Sequence, residues 1–206
     1  MNVVESQARH WPEVAGLLRR SFPPHELGSL DEHEEAVASG ALQVRVSLDD
    51  ADRVAGCAVL RQLPLGATCL EFLAVDPDRR AGGVGRALLD DAVVLAAEHG
   101  DDWLVLEVEP PDTSALHPDH GDAARRMRFY ERAGAFSACT GYGAPDLEAG
   151  TGIVDLELMV VPARPGATGP SLSQVVDWVR AMWGPGGYDR PADDPDLRTM
   201  LARLGY

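Results

Sequence analysis

The amino-acid sequence predicts an α+β fold: a mixed, mostly antiparallel sheet with one central parallel βαβ crossover, helices on both faces, and a helical C-terminal extension. Three observations carry this. The strand-like runs ALQVRVSL and RVAGCAVLRQL are joined by Asp49-Asp50-Ala51-Asp52, which is hairpin chemistry. The runs CLEFLAV and WLVLEVE are separated by one apolar helix, the spacing of a βαβ unit with parallel strands. From Pro162 the composition changes to PARPGATGP, a linker or tether, after which helical periodicity resumes. The chain thus divides into a domain over 1–162 and a linker with two-helix extension over 163–206.

Each element has its own signal. Trp11, Val14, Leu17, Leu18 and Phe22 fall on one helical face, with Pro12 in the first turn, and the prolines of SFPPHE end that helix. Ser29-Leu30-Asp31-Glu32 reads as a capping box for a second helix stopped by Gly40. After the hairpin and CLEFLAV, an apolar helix through Leu88, Leu89, Ala92 and Ala96 stops at Gly100. A helix over about 122–133 ends at Gly134, and strands are expected near 136–142 and 154–161. In the extension, Leu172, Val175, Val176, Val179, Met182 and Trp183 repeat at helical spacing. A last helix starts at Asp194-Pro195 with Leu197, Met200, Leu201 and Leu204 on one face. These apolar faces must be covered, either by the first domain or by a second copy in a homodimer.

Composition excludes several function classes. All 18 basic residues are Arg; the absence of Lys removes Schiff-base, pyridoxal-phosphate and P-loop lysine chemistry. A Lys-free, Arg- and Ala-rich chain is that of a GC-rich genome and implies a bacterial source. The net charge of -15 opposes binding to nucleic acid or an anionic membrane and favours a cationic substrate. No secretory signal or membrane-length apolar run is visible. Cys57, Cys69 and Cys139 have no CxxC spacing and read as free thiols of a reducing cytoplasm.

The informative stretch is LEFLAVDPDRRAGGVGRALL, residues 70–89. A strand ends at Val75, and Arg80-Ala81-Gly82-Gly83-Val84-Gly85 turns directly into a helix. Glycines clear side chains from consecutive backbone N–H groups, the helix dipole adds partial positive charge, and Arg79, Arg80 and Arg86 add full charges. That is an anion site, and a pyrophosphate is its natural occupant. A dinucleotide GxGxxG would begin at the strand end and carry a third glycine; this segment does neither.

The same segment resembles the acetyl-CoA-binding motif of the GNAT N-acetyltransferase superfamily, met here by Arg80, Gly83 and Gly85 after Leu-Ala-Val-Asp-Pro. FYERAGAF, with Tyr130 on the helix after the next strand, resembles a second element of that family. The resemblance covers about 1–162 and implies acetyl-CoA as co-substrate. It also implies a pantetheine arm along the backbone of Leu73, Ala74 and Val75, and a pyrophosphate on the N–H groups from Ala81 to Arg86. The implied reaction is acetyl transfer to a primary amine of a small molecule or peptide, by direct attack in a ternary complex, with Tyr130 as the acid to the leaving thiolate. For the base, Glu71 is expected on one face with Cys69 and Leu73, and Glu107 with Glu109, Trp103 and Val105; carboxylates in such apolar strands need partners. Glu71, Glu107 or a chain of waters are the alternatives. The chain lacks the Asn that many members carry before the Tyr helix. Its loop over 110–122 holds Asp112, His117, Asp119 and His120 at no standard metal spacing, so no metal is expected. His25 and Glu26 lie in the region where the family binds acceptors. A different acyl group or acceptor, or a non-catalytic CoA-responsive module, are the other function classes.

Overall fold

The computed structural model describes residues 2–80, 82–111 and 122–206. Its centre is a seven-stranded sheet in the order β1-β2-β3-β4-β5-β9-β6: β1 (Asn2–Glu5), β2 (Gln43–Leu48), β3 (Val54–Leu63), β4 (Ala67–Val75), β5 (Trp103–Val108), β6 (Phe136–Ser137) and β9 (Glu157–Pro162). Only β4 and β5 run parallel. A separate two-stranded ribbon, β7 (Gly143–Pro145) with β8 (Ile153–Asp155), follows β6.

Helices cover both faces. On one face lie α1 (Trp11–Ser21), α2 (Pro24–Leu27) and α3 (Leu30–Ser39), packed on Val44, Val46, Cys57, Val59 and Ala74. On the other lie α4 (Val84–Glu98) and α5 (Ala123–Arg132), packed on Ala58, Leu60, Leu70, Leu104 and Leu106. The extension forms α6 (Leu172–Trp183) and α7 (Pro195–Arg203). Val175, Val176, Trp178, Val179 and Met200 close a third core with Cys69, Trp103, Val105, Leu158 and Val160 of the sheet. Strand alternation places this third core on the face that carries α1–α3. The apolar faces of the extension are therefore spent on the chain's own sheet.

Four local readings differ from expectation. A short edge strand, β1, pairs antiparallel with β2. The prolines of SFPPHE do not simply end α1: Pro23 caps and Pro24 opens α2, where a missing N–H costs nothing. The expected strand over 136–142 is only two residues long, and the chain then leaves the sheet for the β7–β8 ribbon. Glu109 lies beyond β5 and pairs with Arg126 instead of sharing the strand face with Glu107.

One glycine makes the sheet accept α4. A Cβ on Gly56 of β3 would come within 2.7 Å of Val84 Cγ1 and 2.9 Å of the Ala74 carbonyl oxygen. Gly56→Ala is expected to destabilise the fold by about 1–3 kcal/mol through overpacking, read as a lowered midpoint in thermal or urea denaturation. An unchanged midpoint would show that α4 shifts freely.

Candidate active site

The turn expected to hold an anion is assembled from the end of β4 and the start of α4. Asp76 accepts from the Asp78 N–H in the turn after Val75, Arg80 is extended, and Gly83 sits at the helix N-cap with φ +81°. A left-handed residue there is cheap only for glycine. Gly83 has no side chain to cap the helix, so the first-turn N–H groups, those of Val84, Gly85 and Arg86 among them, have no side-chain cap. Gly82 and Gly83 are exposed, and a Cβ on Gly83 would meet nothing within 4 Å. Gly85 serves packing instead: its Cβ would lie 3.4 Å from Val75 and 3.6 Å from the Phe129 ring of α5. Ala81 lies outside the described residues.

The three arginines are not equivalent. Arg79 bonds Asp49 at 2.8 Å, and Arg86 bonds Asp90 at 2.8 Å and the Arg132 carbonyl at 3.1 Å. Arg80 is exposed and has no carboxylate partner among the described residues. It is the arginine of the turn whose charge is uncommitted.

Beside this turn the sheet opens. β4 and β5 pair only through Ala67–Cys69 with Trp103–Val105, although both strands continue. Leu73, Ala74 and Val75 remain paired with β3 but present an unpaired backbone edge toward β5. Tyr130 packs into the same core as Leu73, Val75, Val84, Leu106 and Val108, with its ring edge-on to Phe129 at 5.0 Å. Burial pushes its phenol up to about 12, and no described residue hydrogen-bonds its hydroxyl.

The opposite face of the opening holds an acidic cluster. Val59 opposes Phe72 while Leu60 opposes Leu70, so Glu71 is the extra residue of a β-bulge. This corrects the expected alternation: Leu73 packs on the α4 side, whereas Glu71 stays with Cys69 on the side of the extension. There it forms an ion pair with Arg61 of β3, both side chains mostly buried. Glu107, on β5, accepts from two phenols: Tyr142 on Oε1 and Tyr188 on Oε2, the latter at 2.7 Å. Burial pushes the Glu107 carboxyl above the ordinary range; the two phenols hold it back, and the charge of Glu71 adds to the rise. Cys69 beside them is raised well above a normal thiol by burial and by both carboxylates, which removes it as a nucleophile at neutral pH.

The raised Glu107 acid has a sign that denaturation can read. Between the ordinary carboxylate pKa and its raised folded value, the unfolded chain is ionised and the folded chain still holds the proton. Stability therefore falls as pH rises through that window. Glu107→Gln is expected to flatten that fall in urea titrations run across pH; an unaltered slope would mean that Glu107 is not the group responsible.

Glu107 and Glu71 are brought near each other where β4 and β5 part, Tyr130 packs in the core on the other face, and the His117–His120 segment lies outside the described residues. His25 and Glu26 stand on exposed α2, their side chains 3.9 Å apart. Among the described residues no group of three or more His, Cys, Asp or Glu side chains is placed to hold a metal, and no helix is long and apolar enough to cross a membrane. Tyr142 and Tyr188 were missed by sequence reasoning. Neither belongs to a motif, and each reaches Glu107 across a long span of chain.

A sheet that opens between its parallel strands, beside a helix start whose N–H groups lack a side-chain cap, leaves room for an extended ligand that carries an anionic group. The acetyltransferase (GNAT) family model matches residues 11–135, and the chain belongs to that family. Solved structures agree in fold. A protein of Bacteroides thetaiotaomicron assigned to the GNAT acetyltransferases superposes with a TM-score of 0.67 at 23% identity, over 89% of this chain and 96% of the other. An aminoglycoside 6'-N-acetyltransferase complexed with coenzyme A gives 0.63 at 19%, over 81% and 99%. The ribosomal-protein-S18-alanine N-acetyltransferase of Escherichia coli gives 0.57 at 20%, over 82% and 98%. No curated protein matches the chain.

Proposed function

We propose that this enzyme transfers the acetyl group of acetyl-CoA to a primary amine of a cationic acceptor, by direct attack in a ternary complex. The observation that carries the reading is the meeting, in one core, of Tyr130 with the unpaired edge of Leu73–Val75 and the uncapped start of α4. That edge suits the amides of a pantetheine arm, added as a strand would be. The N–H groups of Val84, Gly85 and Arg86 and the charge of Arg80 suit its pyrophosphate, whereas the Gly82 N–H is turned to the Arg79 carbonyl at 3.4 Å.

The opening in the sheet lets the two faces divide the chemistry. Glu107, on the extension side, takes a proton from the acceptor ammonium and frees its lone pair. The amine nitrogen bonds the thioester carbonyl carbon, the C–S bond breaks, the nitrogen gives its second proton to solvent, and the thiolate departs toward Tyr130 on the α4–α5 side. A phenol at about 12 remains protonated wherever the enzyme works. Because a thiol titrates near ~8.5, the phenol serves the thiolate chiefly as a hydrogen-bond donor, and solvent completes the protonation. Glu107 is the better base than Glu71, whose carboxylate is committed to Arg61. A cleft of about 440 Å³ beside Tyr142 is lined in part by Pro110, Asp155, Glu157 and Arg203; Arg203 is paired with Asp155 at 2.7 Å, so Glu157 supplies the net negative charge that favours a cationic acceptor.

Mass spectrometry of an amine library incubated with acetyl-CoA and the protein tests activity and acceptor together. Acetylated polyamines, amino sugars, aminoglycosides or basic peptides support the reading. Tight CoA binding with no acetylated product across the library would replace it with a CoA-responsive binding role.

A further inference from the structure

We propose that Tyr188, in the loop between α6 and α7, is a positioning residue for acetyl transfer: with Tyr142 it fixes the Glu107 carboxylate at the opening between β4 and β5, and so makes the C-terminal extension part of the reacting site. The inference rests on the reading of Glu107 as the base.

The loop is built to hold that ring. After α6 the Tyr188 N–H bonds the Met182 carbonyl at 2.8 Å, and the Arg190 N–H bonds that of Trp183 at 2.7 Å. A Cβ on Gly187 would sit 1.9 Å from the Met182 carbonyl oxygen, so only glycine allows the turn. Gly186, at φ +80°, passes close enough to Arg61 that a Cβ would lie 2.8 Å from the guanidinium. The helix before it is anchored in turn: Trp178 donates to the Pro64 carbonyl at 2.9 Å and Gln174 to that of Leu65 at 3.3 Å, both in the β3–β4 turn. Met182 and Trp183 are buried against the sheet. Tyr188 is thus placed by a rigid frame, although it lies outside the segment matched by the family model.

The chemistry of the donors explains why phenols stand there. Glu107 is faced by Cys69 and Glu71 from β4 and by Tyr142 and Tyr188 from two loops, while Arg61 of β3 meets Glu71. Arg61 is taken by Glu71. A second guanidinium on Glu107 would stabilise its anion so strongly that it would lose basicity. Neutral phenols offset part of the cost of burial while leaving the negative charge in place. One phenol on each carboxylate oxygen also leaves each oxygen a lone pair for the acceptor's proton.

The test follows Glu107 directly and through turnover. Its protonated C=O stretch, assigned by its loss in Glu107→Gln, is titrated by infrared difference spectroscopy in wild type and Tyr188→Phe, alongside kcat/KM against pH. Tyr188→Phe is expected to move both the titration and the acidic limb upward by about one to two pH units, with recovery at high pH and unchanged CoA affinity. Fluorotyrosine at 188, a stronger donor of the same shape, is expected to move both curves downward, which guards against a folding effect of the Phe variant. Superimposable curves in both variants overturn the inference. Glu107→Gln with wild-type turnover and pH profile overturns the base reading itself; loss of the limb there, with no shift in either Tyr188 variant, overturns only the role of Tyr188.

Discussion

Tyr130→Phe is expected to lower kcat by about 10²-fold or more while leaving CoA affinity within about twofold of wild type. The phenyl ring keeps its packing against Phe129 in the core it shares with Leu73 and Val75, so only the hydroxyl is lost. A donor that acts on a developing thiolate stabilises the transition state and not the bound thioester, which is why the loss belongs in kcat. Single-turnover kinetics with a confirmed acceptor, paired with CoA binding by calorimetry, separates the two terms. Turnover within about threefold of wild type, on that scale, would remove Tyr130 from the reaction.

Gly83→Val is expected to weaken CoA binding by about 10²-fold or more, because relief of backbone strain turns the N–H groups away from the phosphates. A β-branched residue at φ +81° loses about 1–2 kcal/mol to backbone strain. Reorientation of the turn then forfeits charge-assisted bonds from backbone N–H groups to phosphate, at about 1.5–3 kcal/mol each. The open space around Gly83 decides how the defect should look. With nothing within 4 Å of its Cβ, the variant is spared any clash, and its melting midpoint should fall only by what that strain of about 1–2 kcal/mol costs. Gly85→Val, which meets Val75 and Phe129, should lose stability as well. A Gly83→Val protein that binds CoA as wild type does would place the pyrophosphate elsewhere.

The two expectations draw on parts of the molecule that differed in legibility. Gly83, Gly85 and Arg80 were readable because the backbone at a helix start is local: a strand end, a glycine turn and an apolar helical period lie within about twenty residues of each other. The helix caps were readable for the same reason. Ser29 accepts from the Glu32 N–H and Asp194 from those of Asp196 and Leu197, contacts only a few residues apart. The strand β1 was not, since four residues at a half-buried edge carry no period to detect. Nor was the bulge at Glu71. Strict alternation assigns it to the face of Leu73, and one inserted residue reverses that assignment for everything after it.

The amphipathic faces of α6 and α7 announced that something must cover them. What covers them is set by shape and by long-range packing on Trp103, Val105 and Val160, which no local pattern encodes.

By itself, the sequence determined the mixed α+β order, the glycine turn that starts α4, and the acidic balance of the chain. Those follow from composition, periodicity and backbone conformation, all short-range properties. Only the tertiary structure decided that Arg79 and Arg86 are spent on neighbouring carboxylates. It alone showed that Glu71 is bound to Arg61, and that Glu107 is held by phenols from two distant loops. A carboxylate's partners and basicity depend on which side chains share its buried volume, and that volume is made by folding contacts between residues far apart in the chain.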